Sequence, residues 1–187
     1  MANTSDFRNG LILNHKNNLW KIVEFLHVKP GKGGAFVRSK LKNIRTGQVV
    51  DETFRAGEKV DVVRVEARNF TYLYNDGNSY VFMDQETFDQ IHLSELQVKD
   101  VLDFLLENTN TTIAFHGDDP IEVRIPQHMN VKISETDPGE RGNTAQGGSK
   151  PAVLENGVTI MVPLFIQIGD TIRVDTKEKR YIERVKE

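Results

Sequence analysis

The 187-residue chain contains no cysteine. That excludes a disulfide framework, a thiolate metal site and a cysteine nucleophile, and it agrees with a reducing compartment. There is one tryptophan and only six prolines. No apolar run approaches the ~18 residues that a membrane-spanning helix needs. The opening MANTSDFRNG lacks the basic-then-apolar order of a secretory leader, so a soluble, cytoplasmic protein is expected, with no membrane partner. The five histidines (His15, His27, His92, His116, His128) are scattered without metal-ligand spacing, and no Ser/His/Asp signature is visible. Carboxylates are abundant but cannot be paired from sequence. Nothing here makes a positive case for an enzyme, a metal or a cofactor.

What is present is an uneven distribution of charge. The net of −3 averages three different stretches. Residues 1–64 hold 12 Lys and Arg against 6 Asp and Glu; residues 65–127 hold 3 against 12; residues 128–187 hold 9 of each. Such asymmetry points the basic part towards a polyanion, although a solvated surface is the commoner use of a charge cluster. Domain boundaries are placed where the balance changes, giving units 1–64, 65–127 and 128–187. Each is small, but large enough to fold with neighbours.

Strand signals dominate the chain. LWKIVEFLHV and AFVRSKLKNI are rich in β-branched and aromatic residues and flank a glycine stretch, so they predict a hairpin. FTYLYNDGNSYVFM predicts a second around Asp76-Gly77, and TTIAFHGDDPIEVRIP a third near Gly117. VTIMVPLFIQI, DTIRVDT and RYIERV supply further strands. Many short strands between turn signals predict an all-β protein of small barrels. One segment differs. LSELQVKDVLDFLLEN, residues 93–108, has helical apolar spacing and a capping pair at Ser94 and Gln97, with Glu95, Asp100, Asp103 and Glu107 expected on a solvated outer face.

The most informative stretch is VKPGKGGAFVRSK, residues 28–40. It fails as a phosphate loop, because Lys32 is followed by Gly33 and not Ser or Thr; a dinucleotide fingerprint fails at Phe36. Lys29, Pro30, Gly31, Gly33 and Gly34 instead make a tight tip that leaves Lys32 bare. A hydrated cation on a flexible stem is a poor general base, a good contact for a phosphate backbone and an accessible target for modification. Strand alternation puts Arg38, Lys40 and Lys42 on one face and Val37, Ser39 and Leu41 on the other. The first three form a candidate RNA-backbone-binding stripe leading to the tip; a charged, solubilising strand face is the alternative for the stripe by itself. A second glycine-rich stretch, Gly142-Asn143-Thr144-Ala145-Gln146-Gly147-Gly148-Ser149-Lys150, is a long loop that could follow an RNA strand or merely connect elements. Tyr72, Tyr74, Phe82 and Phe165 are either base-stacking or packing residues. Read from residues alone, a general single-strand RNA-binding protein of the OB type and an enzyme with an unrecognised carboxylate site stay open, although the acidic middle argues against the first.

HVKPGKGGAFVRSKLKNIRTG, YLYNDG, FMDQETF and KPAVLENGVTIMVPLFIQIGDTIRVDT together resemble the bacterial elongation factor P family over essentially Asp6 to Lys186. Lys150, Ala152, Gly157, Ile160, Val162-Pro163, Ile166 and Gly169 stand at the spacing of its C-terminal signature. The resemblance implies an SH3-like, KOW-type barrel followed by two OB-folds in an L-shaped, tRNA-like arrangement, with one short helix in the middle domain. It implies a monomeric, non-enzymatic factor that binds the ribosome between the P and E sites and relieves stalling at consecutive prolines. Its partners would be rRNA of both subunits, the P-site peptidyl-tRNA and the E-site codon of the mRNA. The tip position falls on Lys32, directed to the CCA end, and the codon-side loop on Gly142 to Lys150. In the family the tip lysine is often β-lysylated or given an aminopentanol group, and the eukaryotic relative carries hypusine. Some unmodified members have proline after the tip glycine. Here that position is Gly34, so a lysine-modifying enzyme acting on Lys32 is expected. A paralogous branch departs at this loop, and Lys32 in PGKG argues against it.

Overall fold

The computed structural model describes residues 2–31, 33–138 and 148–185. Three antiparallel sheets follow one another along the chain, each curled over its own apolar core. No helix of the described residues is long and apolar enough to cross a membrane.

The first sheet contains β1 (Ala2–Asn3), β2 (Ile12–His15), β3 (Asn18–Val28), β4 (Phe36–Asn43), β5 (Val49–Arg55) and β6 (Lys59–Val62), in the order β1-β6-β2-β3-β4-β5. Its core gathers Phe7, Leu13, Trp20, Ile22, Val37, Leu41 and Phe54. The β2–β3 turn places Lys16 and Asn17 both at positive φ (51° and 60°), as a two-residue primed turn requires. Val23 interrupts the β3–β4 register. Before this bulge Trp20 and Ile22 point inward; after it Phe25 does, and Glu24 and Leu26 point out. A bulge strengthens local twist and re-aims the strand beyond it. The register ends at Val28 opposite Phe36, and the tip of this long hairpin lies beyond that pair.

The second sheet is built from β7 (Glu66–Asn75), β8 (Tyr80–Asp84), β9 (Gln90–Leu93), β10 (Asn110–His116) and β11 (Asp119–Arg124), in the order β11-β10-β7-β8-β9. The third contains β12 (His128–Thr136), β13 (Ser149–Leu154), β14 (Thr159–Pro163), β15 (Thr171–Asp175) and β16 (Arg180–Arg184), in the order β14-β13-β12-β15-β16. Numbered within each sheet, both read 3-2-1-4-5. The same five-stranded topology, that of an OB barrel, is used twice.

The predicted helix is shorter than its apolar periodicity suggests. One turn, α1 (Glu95–Val98), is followed by a 3-10 turn at Leu102–Phe104. Its start is as expected, with the Gln97 carboxamide accepting the Ser94 N–H at 2.9 Å. The break at Val101 has a packing reason. Val98, Val101, Leu102 and Leu105 serve the second core, whereas Phe104 is 1% exposed inside the third, against Val131, Leu154, Ile166 and Ile172. A straight helix cannot aim one apolar face at two cores. Nor is the outer face merely solvated: Asp100 pairs with Lys42 of the first sheet and Asp103 with Lys179 of the third.

Candidate functional site

The tip is a bare loop on a stiff stem. Lys29, Gly31, Gly33 and Gly34 are exposed and Pro30 is half-buried, while Lys32 lies outside the described residues. A side chain added at Gly31 or Gly34 would meet open space. Gly33 is different in kind: its φ of +115° is one that L-residues rarely adopt. Below the tip, burial in β4 alternates as the sequence predicts, with Val37, Ser39 and Leu41 buried and Arg38 and Lys40 exposed.

The stripe itself is less free than its charge suggests. Cross-strand register places Glu24 and Asp51 on either side of Lys40. The Lys40 ammonium lies 3.1 Å from the Glu24 carboxylate. The bond to Glu24, then its charge and that of Asp51, raise the lysine above its ordinary pKa. Both side chains are largely exposed, and solvent screens such a pair, so Lys40 can exchange Glu24 for a phosphate. Lys42 departs from the expected stripe: it is half-buried and donates to Asp100 of the middle segment, which makes it a strap between barrels. Arg38 lies 5.6 Å over the Phe36 ring and has no carboxylate partner among the described residues. Neither Glu24 nor Asp100 was visible as a partner in sequence, because β-register and inter-barrel contact decide both.

Of the second loop, Gly142, Asn143, Thr144 and Gly147 lie outside the described residues, and Gly148 is the half-buried residue leading into β13. Lys150 is not a loop residue. It sits in β13, is 7% exposed, and its ammonium donates to the Asp137 carbonyl, which ties together the two ends of the segment. The other signature positions are structural as well. Ala152, Ile160, Val162 and Ile166 are buried in the third core, and Gly157 and Gly169 take φ of +80° and +88°. Among the aromatics, Tyr72 and Phe82 are core, whereas Tyr74 and Phe165 are exposed, the latter at 58% with Arg184 above its ring.

Comparison with known proteins agrees with this architecture. The family model described as "Elongation factor P (EF-P) KOW-like domain" matches residues 3–60, "Elongation factor P (EF-P) OB domain" residues 65–123, and "Elongation factor P, C-terminal" residues 129–184. A protein named Elongation factor P from Saccharopolyspora erythraea is 51% identical over 185 residues, covering 99% of this chain and 98% of its own length. One of the same name from Parafrankia sp. is 53% identical, covering 99% of both. Among solved structures, a protein described as eukaryotic translation initiation factor 5A from Methanococcus jannaschii has a similar fold. Its TM-score is 0.52 and its identity 20%, over 67% of this chain and 90% of its own. Three consecutive domain matches and half-identical relatives of full length leave one assignment: the chain belongs to the elongation factor P family of translation elongation factors, which work with the ribosome.

Proposed function

We propose that this protein enters the ribosome between the P and E sites and stimulates peptide-bond formation where consecutive prolines stall it. Lys32 steadies the CCA end of the peptidyl-tRNA, and the ribosome remains the catalyst. Proline is a constrained acceptor. Holding two reactants in attack geometry removes several kcal/mol from a barrier, and each ~1.4 kcal/mol is tenfold in rate. The protein makes and breaks no bond itself.

The observation that carries this reading is the hairpin tip in a member of this family. Gly31, Gly33 and Gly34 offer nothing to cover a neighbouring side chain, and Pro30 stiffens the entry. Arg38, without a carboxylate partner among the described residues, and Lys40, weakly paired, are the arm's phosphate contacts; Lys42 contributes by holding the arm's base. The segment from Gly142 to Gly148 approaches the E-site codon, with Lys150 as its internal anchor. The factor acts as a cytoplasmic monomer, and a cellular enzyme extends Lys32 to lengthen its reach.

The test is reconstituted synthesis of a polyproline peptide. Lys32→Ala keeps its melting temperature and loses rescue of the stall; full rescue by this variant would refute the tip role. Intact and fragment masses of the native protein around Lys32 identify the modification, and an unmodified mass would remove that part of the proposal.

A further inference from the structure

Lys40 and Lys42 are paired, which leaves Arg38 as the unpaired cation of β4 among the described residues; a further concentration of positive charge lies away from the arm. Where the three barrels meet, a groove of about 880 Å³ is lined by Arg8, Lys21, Arg64, Arg124 and Lys177. Glu122 is the single carboxylate among its described lining residues. The five cations come from different parts of the chain: the turn before β2, β3, the β6–β7 connection, the end of β11 and the β15–β16 turn. Four of them are exposed. Lys21 and Arg124 share Glu122, which Arg124 reaches at 2.6 Å. Arg8, Arg64 and Lys177 have no carboxylate partner among the described residues. This concentration stands beside the most acidic third of the chain, whose 65–127 stretch has only three basic residues; one of those three, Arg124, is turned into the groove.

We propose that this three-barrel groove is a second RNA-binding site, which takes a run of consecutive backbone phosphates. The proposal rests on the ribosome-bound reading above but names a contact separate from the tip and the arm. A single phosphate would be satisfied by one or two of these side chains. Cations spread across three barrels are spanned only by a ligand with several negative charges in a row. Among the described lining residues there is no aromatic ring on which a base could stack, and the one carboxylate is already shared by two cations. Its walls at Val23, Val63 and Val65 are apolar. Such a surface holds backbone and sugar without reading sequence. Because its cations belong to all three barrels, RNA seated there also fixes how the arm is presented.

The test measures binding to ribosomes carrying a P-site tRNA across a salt series, for the wild type, Arg8→Glu/Arg64→Glu, and Lys177→Glu alone. Each lost phosphate contact removes about 0.7–0.9 from the slope of log affinity against log salt. The double variant is expected to bind at least tenfold more weakly near 0.1 M salt, with a slope shallower by about 1.4–1.8, and Lys177→Glu with one shallower by about 0.7–0.9. Thermal melting confirms folding, and Lys177, in an exposed turn, provides a reading if the double variant is unstable. Lys59→Glu on β6 makes the same charge change outside the groove and is expected to keep the wild-type slope. Wild-type slopes in both groove variants, or an equal loss in Lys59→Glu, would overturn the groove alone. A wild type that does not bind ribosomes at all would overturn the functional reading, and the groove with it.

Discussion

Replacing Phe104 by alanine tests how the last two barrels are joined. The residue belongs by sequence to the connection between β9 and β10, yet its ring is 1% exposed within the core of the third sheet. Emptying a buried Phe site costs about 3–5 kcal/mol, from lost transfer energy and the cavity left behind. At about 0.05–0.15 kcal/mol per residue, a unit of this size has only about 3–9 kcal/mol to lose. The C-terminal barrel of Phe104→Ala is therefore expected to melt at least ~10 °C earlier, since ~1 kcal/mol moves a domain this small by 4–8 °C. The sequence supplies its own internal control. The single tryptophan, Trp20, is buried in the first core, so its fluorescence reports the N-terminal barrel while circular dichroism reports all three. Urea titration should separate the two signals: the dichroism transition moves to lower urea and the Trp20 transition stays within about 0.5 kcal/mol. If both move together, or the dichroism loss is below about 1 kcal/mol, the Phe104 ring does not hold the C-terminal barrel together.

Three other outcomes follow from particular residues. Gly33→Ala forces a side chain into φ of +115° and should impair polyproline rescue while barely changing the melting temperature; Gly34→Ala, with open space and no such φ, should retain rescue. Lys150→Ala removes a buried stem and leaves the Asp137 carbonyl without its ammonium, so a loss of about 2–3 kcal/mol is expected in chemical denaturation. Asp175 accepts the Glu178 and Lys177 backbone N–H groups and the Gln127 amide, and these bonds hold its carboxyl below the ordinary range despite its burial. A depressed folded pKa contributes stability that is complete above the unfolded value and is lost as pH falls through the folded one. Melting followed from pH 7 to pH 2 should therefore show a loss beginning near pH 4, smaller in Asp175→Asn, which starts from a lower stability at pH 7.

The all-β class, the long hairpin and the turns at Asp76-Gly77 and Gly117 were legible because alternation and turn chemistry are local. The same locality gave the two faces of β4 correctly, from Val37 to Lys42. It could not give the partners of those faces. Glu24 and Asp51 flank Lys40 only through sheet register, and the Val23 bulge sets the β3–β4 side of it. The helix over 93–108 was overdrawn because periodicity assumes one core, while Phe104 serves another. Arg8, Arg64 and Lys177 are unremarkable in sequence and become a group only where the barrels meet. The glycines before Lys150 make it look like a loop cation; Ala152 and Leu154, its alternate neighbours on the buried side, are the strand signal.

The C-terminal signature carries a consequence for how such proteins diverge. Its residues are tucked side chains and turn glycines that hold one barrel together, and they lie on a different sheet from the β3–β4 hairpin. A descendant can exchange the fingertip for another chemistry while every signature residue stays in place. Family membership and the identity of the reactive tip are thus inherited separately, and only the tip sequence itself reports which version a given organism uses.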